Sequence, residues 1–283
     1  MELSVIISTQ RDAASFLGKA LIGYAAQSFR DFEIIIADDG YGPETQKIIS
    51  GFQKEFKSVT HLGPDEQGAS KSEILNRAIQ ASGSDYIVFT DANCIPRRDF
   101  LQVHNERREE TFFLTGSQFK LPPMISQSIE DTHIRNQHCF DLGWLKQSGL
   151  RFSLKNQQLS KNRIKSNILN ALTPGKATWN HHNVSCWKKD LLEVNGFDER
   201  MKAGGEEEEL YARLLNNDIH GIKVHFNAIC LHLNHPKALP HPKDVAMRAY
   251  LRKAAKRSNA IWTQYGIHKE RAIPINVQDG DYS

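Results

Sequence analysis

Three short apolar segments near the N-terminus constrain the fold of this chain most strongly. They are LSVIIS, FEIIIAD and YIVFTD, and each is a nearly continuous apolar run that ends in a polar or acidic residue. Such runs are typical of parallel strands covered on both faces. A fourth strand is predicted around SVTHLG. Helices are predicted between the strands because apolar residues recur there at helical spacing: Leu17, Leu21 and Tyr24; Ile48, Ile49 and Phe52; Ile74, Leu75, Ala78 and Ile79.

The alternation of strand and helix predicts an α/β fold with a doubly wound, mostly parallel sheet flanked by helices. Ligands of such sheets bind at the carboxyl ends of the strands. Two of those ends are acidic, which indicates a metal, a ribose or a base edge. The three ends carry Thr9-Gln10-Arg11, Asp38-Asp39-Gly40 and Asp91-Ala92-Asn93.

Two other classes with this topology fit less well. A dinucleotide-binding Rossmann domain would need a GxGxxG turn after the first strand, and the sequence has none there. A receiver-type phosphoacceptor domain also gathers aspartates at strand ends, but it would leave residues 100–240 without a purpose.

The composition indicates a globular cytoplasmic protein. Its 283 residues suffice for one large domain, and a net charge of +3 is too small to indicate nucleic acid or a membrane by itself. The four cysteines have no CxxC spacing, which favours reduced thiols. MELSVIIST resembles a first strand and not a signal peptide, and no apolar run approaches the ~18 residues of a membrane span.

The charge is unevenly distributed. Residues 142–189 contain nine Lys or Arg and no Asp or Glu. This segment is either a solvated loop or a flap over an anionic substrate or membrane surface. From Lys243 to Tyr265 we predict a basic amphipathic helix that packs on its own domain, on a partner or on anionic lipid. Its apolar stripe comprises Met247, Leu251, Ala254, Trp262 and Tyr265.

Three separated motifs carry a family resemblance. They are SVIISTQRD with QSFRDFEIIIADDG, then GSDYIVFTDANCIP, then NVSCWKKDLLEVNGFDERMKAGGEEEEL. Together they resemble the inverting, nucleotide-sugar-dependent glycosyltransferases of family 2, which have the GT-A fold, and the last is similar to galactosyltransferase-type C-terminal segments. The resemblance implies a glycosyltransferase domain over residues 1–240, with a nucleotide-binding half at 1–98 and an acceptor half at 99–240, followed by the helical tail at 241–283.

The resemblance implies a nucleotide diphosphate-sugar donor, with UDP expected, and a saccharide or lipid-linked acceptor in surface polysaccharide biosynthesis. Asp39 would accept a hydrogen bond from the base, with Thr9 and Arg11 lining the same pocket. Lys71 would help to hold the nucleotide, and Asp91 would face the ribose and the metal. The expected location is the cytoplasm, with a peripheral contact at the inner face of the cell membrane.

Two further positions concern the metal, expected to be Mn²⁺ or Mg²⁺. Asn93 stands where the family has a second carboxylate, and His232, preferred to His235, would complete the metal site. An amide keeps one oxygen ligand but removes a charge, so the affinity for a hard cation should fall. Either the donor diphosphate and water complete the shell, or basic residues of the acid-free segment neutralise the diphosphate.

The resemblance implies that the glutamate run after Gly204-Gly205 supplies the general base, Glu207, and an acceptor-binding acid, Glu206. If a helix begins near Glu206, Glu207 lies on the inward side, whereas Glu209 lies over Arg213 on the outer side. The glycines would let the chain turn into this helix.

Two alternative functions remain. A non-catalytic relative that binds nucleotide-sugar or glycan is compatible with Asn93. A nucleotidyltransferase would need an early Gly-rich phosphate loop with basic residues, which STQRDAASF does not provide.

Overall fold

The computed structural model of the chain describes residues 1–9, 14–40, 42–64, 69–201, 204–234 and 259–269, together with 245, 249–250 and 253. Strands within these residues are β1 (Leu3–Thr9), β2 (Phe32–Asp38), β3 (Val59–Leu62), β4 (Tyr86–Asp91), β5 (Cys94–Pro96), β6 (Phe112–Thr115), β7 (Ser117–Lys120), β8 (Val184–Trp187), β9 (His220–Lys223) and β10 (Ile229–His232). Helices are α1 (Ala14–Ala25), α2 (Pro43–Phe52), α3 (Lys71–Ala81), α4 (Phe100–Arg107), α5 (Pro123–Ser128), α6 (Asp131–Arg135), α7 (Leu142–Gln147), α8 (Arg163–Leu172), α9 (Lys188–Glu193) and α10 (Glu206–Asn216).

The main sheet has the strand order β3-β2-β1-β4-β8-β6-β9. β3, β2, β1 and β4 run parallel, whereas β8 is antiparallel to both of its neighbours, β4 and β6. The predicted doubly wound, mostly parallel sheet is therefore confirmed, including the strand around SVTHLG. β2 and β4 lie on opposite sides of β1, so the carboxyl end of β1 is the switch point where a ligand crevice opens. A second sheet, β5-β10-β7, lies beyond this end.

Both faces of the sheet are covered, which explains the continuous apolar runs. In β1, Val5 and Ile7 pack in one core cluster with Leu17 of α1, whereas Ile6 packs in the other with Ile74 of α3. Successive residues of a strand point to opposite faces, so a strand buried on both sides needs apolar residues at every position.

Helix α10 differs in one respect from the prediction. Gly204 and Gly205 have φ values of 86° and 93°, the left-handed conformation that lets the chain turn into the helix as expected. The buried stripe, however, contains Glu206 and Glu209, and Arg213 is buried as well. The outward placement of Glu209 and Arg213 is therefore wrong. Arg213 can be buried because it donates to both Glu209 oxygens and to the carbonyls of two other residues, Val194 and Gly196.

Most of the predicted tail helix falls on residues outside the described ranges, including Met247, Leu251 and Ala254. Its last part is wrong, because residues 259–269 form turns and irregular backbone. This segment packs on the domain: Asn195 donates to the carbonyls of Thr263 at 2.6 Å and His268 at 2.9 Å. The boundary at residue 240 stays a prediction.

Candidate active site

The carboxyl ends of β1, β2 and β4 meet the first turns of α3 and α10 at the switch point. The Asp39 amide donates to the Thr9 carbonyl at 3.1 Å, which ties the ends of β1 and β2 together. The Lys71 ammonium lies 3.2 Å from the Glu206 carboxylate, which joins α3 to α10. The structure therefore brings Thr9, Asp39, Lys71 and the glutamate run to one crevice.

On the nucleotide side, Asp38 and Asp39 have different roles. Asp38 is fully buried, accepts from the Gly40 amide at 3.0 Å and contacts His61 Nε2 at 3.1 Å, so it shapes the turn. Asp39 is partly exposed, in keeping with its expected contact with the base. Thr9 Oγ1 is buried and has no hydrogen-bond partner among the described residues, which leaves it available to a ligand. Arg11 lies outside the described residues.

The ionisation of Asp39 is shifted. Burial raises the pKa of this carboxyl to about 6, and the neighbouring Asp38 charge adds to the effect, whereas Lys71 opposes it. The carboxylate therefore forms near neutral pH and would be stabilised by a donor that hydrogen-bonds to it.

Lys71 and Glu206 form an ion pair in the floor of the crevice. Burial opposes the charge on Lys71, but the carboxylates of Glu206, Asp91 and Asp39 outweigh it and raise the pKa of the ammonium. Burial likewise disfavours ionised Glu206, but Lys71 and the residue's own backbone amide outweigh it and lower the pKa of the carboxyl. Glu206 Oε2 is buried without a hydrogen-bond partner in the described part of the chain, so it can accept one from a ligand.

Two histidines absent from the sequence-based site, His181 and His182, contact Asp91. The Asp91 carboxylate accepts from His182 Nδ1 at 2.5 Å and lies 3.2 Å from His181 Nε2. The cause is the register of the two strands. β4 and β8 are antiparallel, with Phe89 opposite Val184. Two residues further along β4, just past the last hydrogen-bonded pair, Asp91 therefore comes opposite His182. The two adjacent histidines of the sequence HHN, just before β8, were the available signal.

The two histidines differ in protonation. Burial lowers the pKa of His181 to about 4, with Lys71 adding to this and Asp91 opposing it. Burial also disfavours the charged form of His182, but its hydrogen bond and attraction to Asp91 outweigh this and raise its pKa to about 9. Asp91 itself is held ionised, because both histidines outweigh the effect of burial and keep its pKa well below the usual range.

Glu207 lies at the far side of His181. Its carboxylate contacts His181 Nδ1, so the imidazole stands between Glu207 and Asp91. The side chain of Glu207 is 22% exposed, whereas that of Glu206 is 5% exposed. Glu207 is therefore the more accessible acid of this pair.

The predicted metal pair, Asn93 and His232, is brought together at the start of the second sheet. Asn93 Nδ2 lies 3.3 Å from His232 Nε2, and both side chains are buried. The His232 ring packs edge-on against the His182 ring, with centroids 5.6 Å apart. The pair thus borders the Asp91 cluster, but its two side chains face each other.

The cluster around His181 fits a divalent cation. Among the described residues, potential ligand atoms lie within 4.8 Å of one another in two overlapping groups, Asp91-His181-His182 and His181-Glu206-Glu207. A neutral imidazole has one N–H and cannot donate to two carboxylates at once, so a cation between His181 and one of them would satisfy both contacts. Mixed imidazole and carboxylate ligands suit Mn²⁺ better than Mg²⁺, which prefers oxygen ligands alone.

The sheet order and the acidic crevice at its switch point are those of the GT-A fold. Residues 4–120 match the model of the family described as Glycosyl transferase family 2. The matched segment contains the first two of the three motifs that carry the family resemblance. No curated protein matches the chain in sequence.

Solved structures with similar folds cover 92% of this chain at 14% identity. TarS from S. aureus has a TM-score of 0.57, and this chain spans 41% of its length. TarS 1-349 in complex with UDP-GlcNAc has a TM-score of 0.59, with 69% of that chain covered. The mannosyltransferase PcManGT from Pyrobaculum calidifontis, in complex with GDP-Man and Mn²⁺, has a TM-score of 0.54, with 73% covered.

The described part of the chain contains no helix with both the length and the apolar character that a bilayer span requires.

Proposed function

We propose that this protein transfers a sugar, with inversion, from a nucleotide diphosphate-sugar to a saccharide or lipid-linked acceptor in surface polysaccharide synthesis. The observation that carries the proposal is the line of Asp91, His181 and Glu207, which lies beside the Lys71–Glu206 pair at the switch point. The similar structures contain UDP-GlcNAc or GDP-Man, which supports a nucleotide-sugar donor, and we expect a UDP-sugar.

The donor would bind with its base against Asp39 and Thr9, and the family resemblance implies that Arg11 lines the same pocket. The raised pKa of Asp39 shows that burial already disfavours its charge, and a base N–H would offset part of that cost. The ammonium of Lys71, held between Glu206, Asp91 and Asp39, would attract the diphosphate. Asp91 would face the ribose.

Glu207 would act as the general base. It takes the proton from the acceptor hydroxyl as that oxygen bonds to the anomeric carbon and the bond to the nucleotide diphosphate breaks. Its partial exposure lets the hydroxyl reach it, and its contact with His181 fixes the orientation of the carboxylate. A positioned base contributes about 10²–10⁴-fold to such a step. Glu206, whose Oε2 lacks a partner among the described residues, would accept a hydrogen bond from a second acceptor hydroxyl.

A divalent cation, Mn²⁺ in preference to Mg²⁺, would be held by Asp91 and the two histidines. When bound, it would neutralise the charge that develops on the departing diphosphate. Asn93 and His232 border this cluster and would support it by holding His182 in place. The proposal also includes a peripheral contact with the inner face of the cell membrane, supported by the acid-free basic segment at 142–189.

Incubation with a panel of UDP- and GDP-sugars, with and without Mn²⁺, tests the proposal by release of nucleotide diphosphate. We expect release with at least one donor and stimulation by Mn²⁺. Binding of donors without any turnover would instead support a non-catalytic nucleotide-sugar-binding protein.

A further inference from the structure

Helix α8 is amphipathic in the opposite sense to an ordinary surface helix. Ile164, Ile168 and Leu172 are 73%, 53% and 74% exposed. Their spacing of four residues places them on one face, along about 12 Å of the helix. A surface helix normally buries its apolar face against the core. We call these three side chains the α8 ridge.

Polar side chains hold the other face of α8 against the domain. Asn167 accepts from Arg107 Nη2 at 2.6 Å and from Asn227 Nδ2 at 3.1 Å. Asn170 accepts from the Phe226 amide at 3.1 Å, and Ser166 is buried. These directional contacts fix which face of α8 points outward, so the exposure of the ridge is a consequence of how the helix is anchored.

The charge around the ridge is positive. α8 lies within the acid-free segment 142–189, whose exposed cations include Lys155, Lys161, Lys165 and Lys176. Glu106, an acidic neighbour on α4, is paired with Arg163 at 2.5 Å. The same segment exposes Phe152 by 84% and Leu154 by 76%. Apolar side chains flanked by lysines and free of acids complement a surface that is apolar beneath an anionic layer.

We propose that the α8 ridge docks this protein on an anionic lipid bilayer, with its aliphatic side chains in the acyl boundary and the surrounding lysines at the headgroups. This deepens the peripheral contact proposed above by naming the surface that makes it. It does not depend on glycosyl transfer, because it involves none of the residues of the crevice. α8 ends at Leu172, nine residues before His181, so docking would hold a segment close in sequence to the crevice at the membrane that carries the acceptors.

Flotation of the full-length protein with phosphatidylcholine vesicles, with or without phosphatidylglycerol, tests the proposal. We expect binding that requires phosphatidylglycerol and weakens with salt. Each methylene that enters the bilayer contributes about fourfold to partitioning, so Ile164→Ser/Ile168→Ser/Leu172→Ser should reduce binding by at least about tenfold. Lys161→Gln/Lys165→Gln should reduce it by about fivefold per lysine, for anionic vesicles alone.

Matched controls separate docking from misfolding. Met124 on α5 is 67% exposed, close to the value for Leu172, so Met124→Ser should leave vesicle binding unchanged whereas Leu172→Ser weakens it. Ile164→Leu/Ile168→Leu should retain binding because it keeps the apolar ridge. All variants should keep the wild-type Tm.

Undiminished vesicle binding by the triple serine variant would overturn the proposal. A wild-type dimer that this variant converts to a monomer, without vesicle binding by either, would show instead that a second copy covers the ridge. Glu207→Gln protein should bind vesicles normally, so failure of the transferase proposal and failure of docking give different results.

Discussion

The buried pair of Arg213 and Glu209 offers a quantitative test of how the glutamate run is divided between structure and chemistry. Arg213→Met keeps most of the side-chain volume but removes the guanidinium, which donates to Glu209 at 2.7 and 2.5 Å and to the Gly196 carbonyl at 2.8 Å. Both side chains are at least 95% inaccessible to solvent, so water cannot replace these contacts.

The cost has two parts. Breaking a buried ion pair by removing one partner typically costs about 3–5 kcal/mol. The carbonyls of Val194 and Gly196 also lose a donor, and each unsatisfied group costs about 1–3 kcal/mol. Because the two parts overlap, we expect the free energy of unfolding to fall by about 5 kcal/mol.

Urea unfolding at pH 7, followed by circular dichroism, measures this change. Glu209→Leu/Arg213→Met should recover a large part of the loss, because no charge is left buried. Glu208→Gln, at an exposed position, should change stability by no more than about 0.5 kcal/mol. A loss below about 1.5 kcal/mol for Arg213→Met, or a double variant no more stable than the single one, would refute the assignment of Glu209 to structure.

Three further changes probe the fold and the crevice. Burial lowers the pKa of His104 from 6.5 to about 4, so folding favours the neutral ring. The free energy of unfolding should therefore decrease as the pH falls below about 6.5, by up to about 3 kcal/mol near pH 4. His104→Gln should flatten the dependence of Tm on pH between pH 7 and 5, and an unchanged pH profile would contradict this. Asp39, with a pKa of about 6, accepts most strongly from the base when it is ionised, so UDP affinity measured by calorimetry should fall as the pH drops below that value. Asp39→Asn, which accepts only through a neutral amide oxygen, should bind UDP more weakly than wild type at pH 7, and a wild-type affinity independent of pH would exclude this role. Asn93→Asp should tighten Mn²⁺ in a titration with donor present, because it adds a negative charge at the border of the cluster that would hold the cation, and an unchanged affinity would show that this position does not act on the metal site.

The parallel half of the fold could be predicted from sequence because its signals are local. β1, β2 and β4 are buried on both faces, so each is a continuous apolar run that ends at a polar ligand position. Their shared edge then follows from topology alone. Thr9, Asp39 and Asp91, at the ends of these strands, are consequently brought to one crevice, although their roles there remain proposals.

The antiparallel half could not be predicted in this way. His181 and His182 reach Asp91 only because β8 inserts beside β4 in a particular register, and that pairing joins segments about ninety residues apart. The orientation of α10 failed for a related reason. Leu210 and Leu214 can belong to a buried face that includes Glu207 or to one that includes Glu206. Which face is buried depends on contacts distant in sequence: Glu206 pairs with Lys71, and Arg213 donates to the carbonyls of residues 194 and 196. A helical pattern alone assigns charged residues to the solvent side.

The central claim is that Glu207, and not its neighbours in the run, removes the acceptor proton. The direct test compares wild type, Glu207→Gln and Glu208→Gln in transfer from the donor found in the panel, together with donor affinity by calorimetry. Glu207→Gln should lower kcat by about 10²-fold or more with little change in donor Kd, and Glu208→Gln should resemble wild type. Wild-type turnover by Glu207→Gln would contradict this claim.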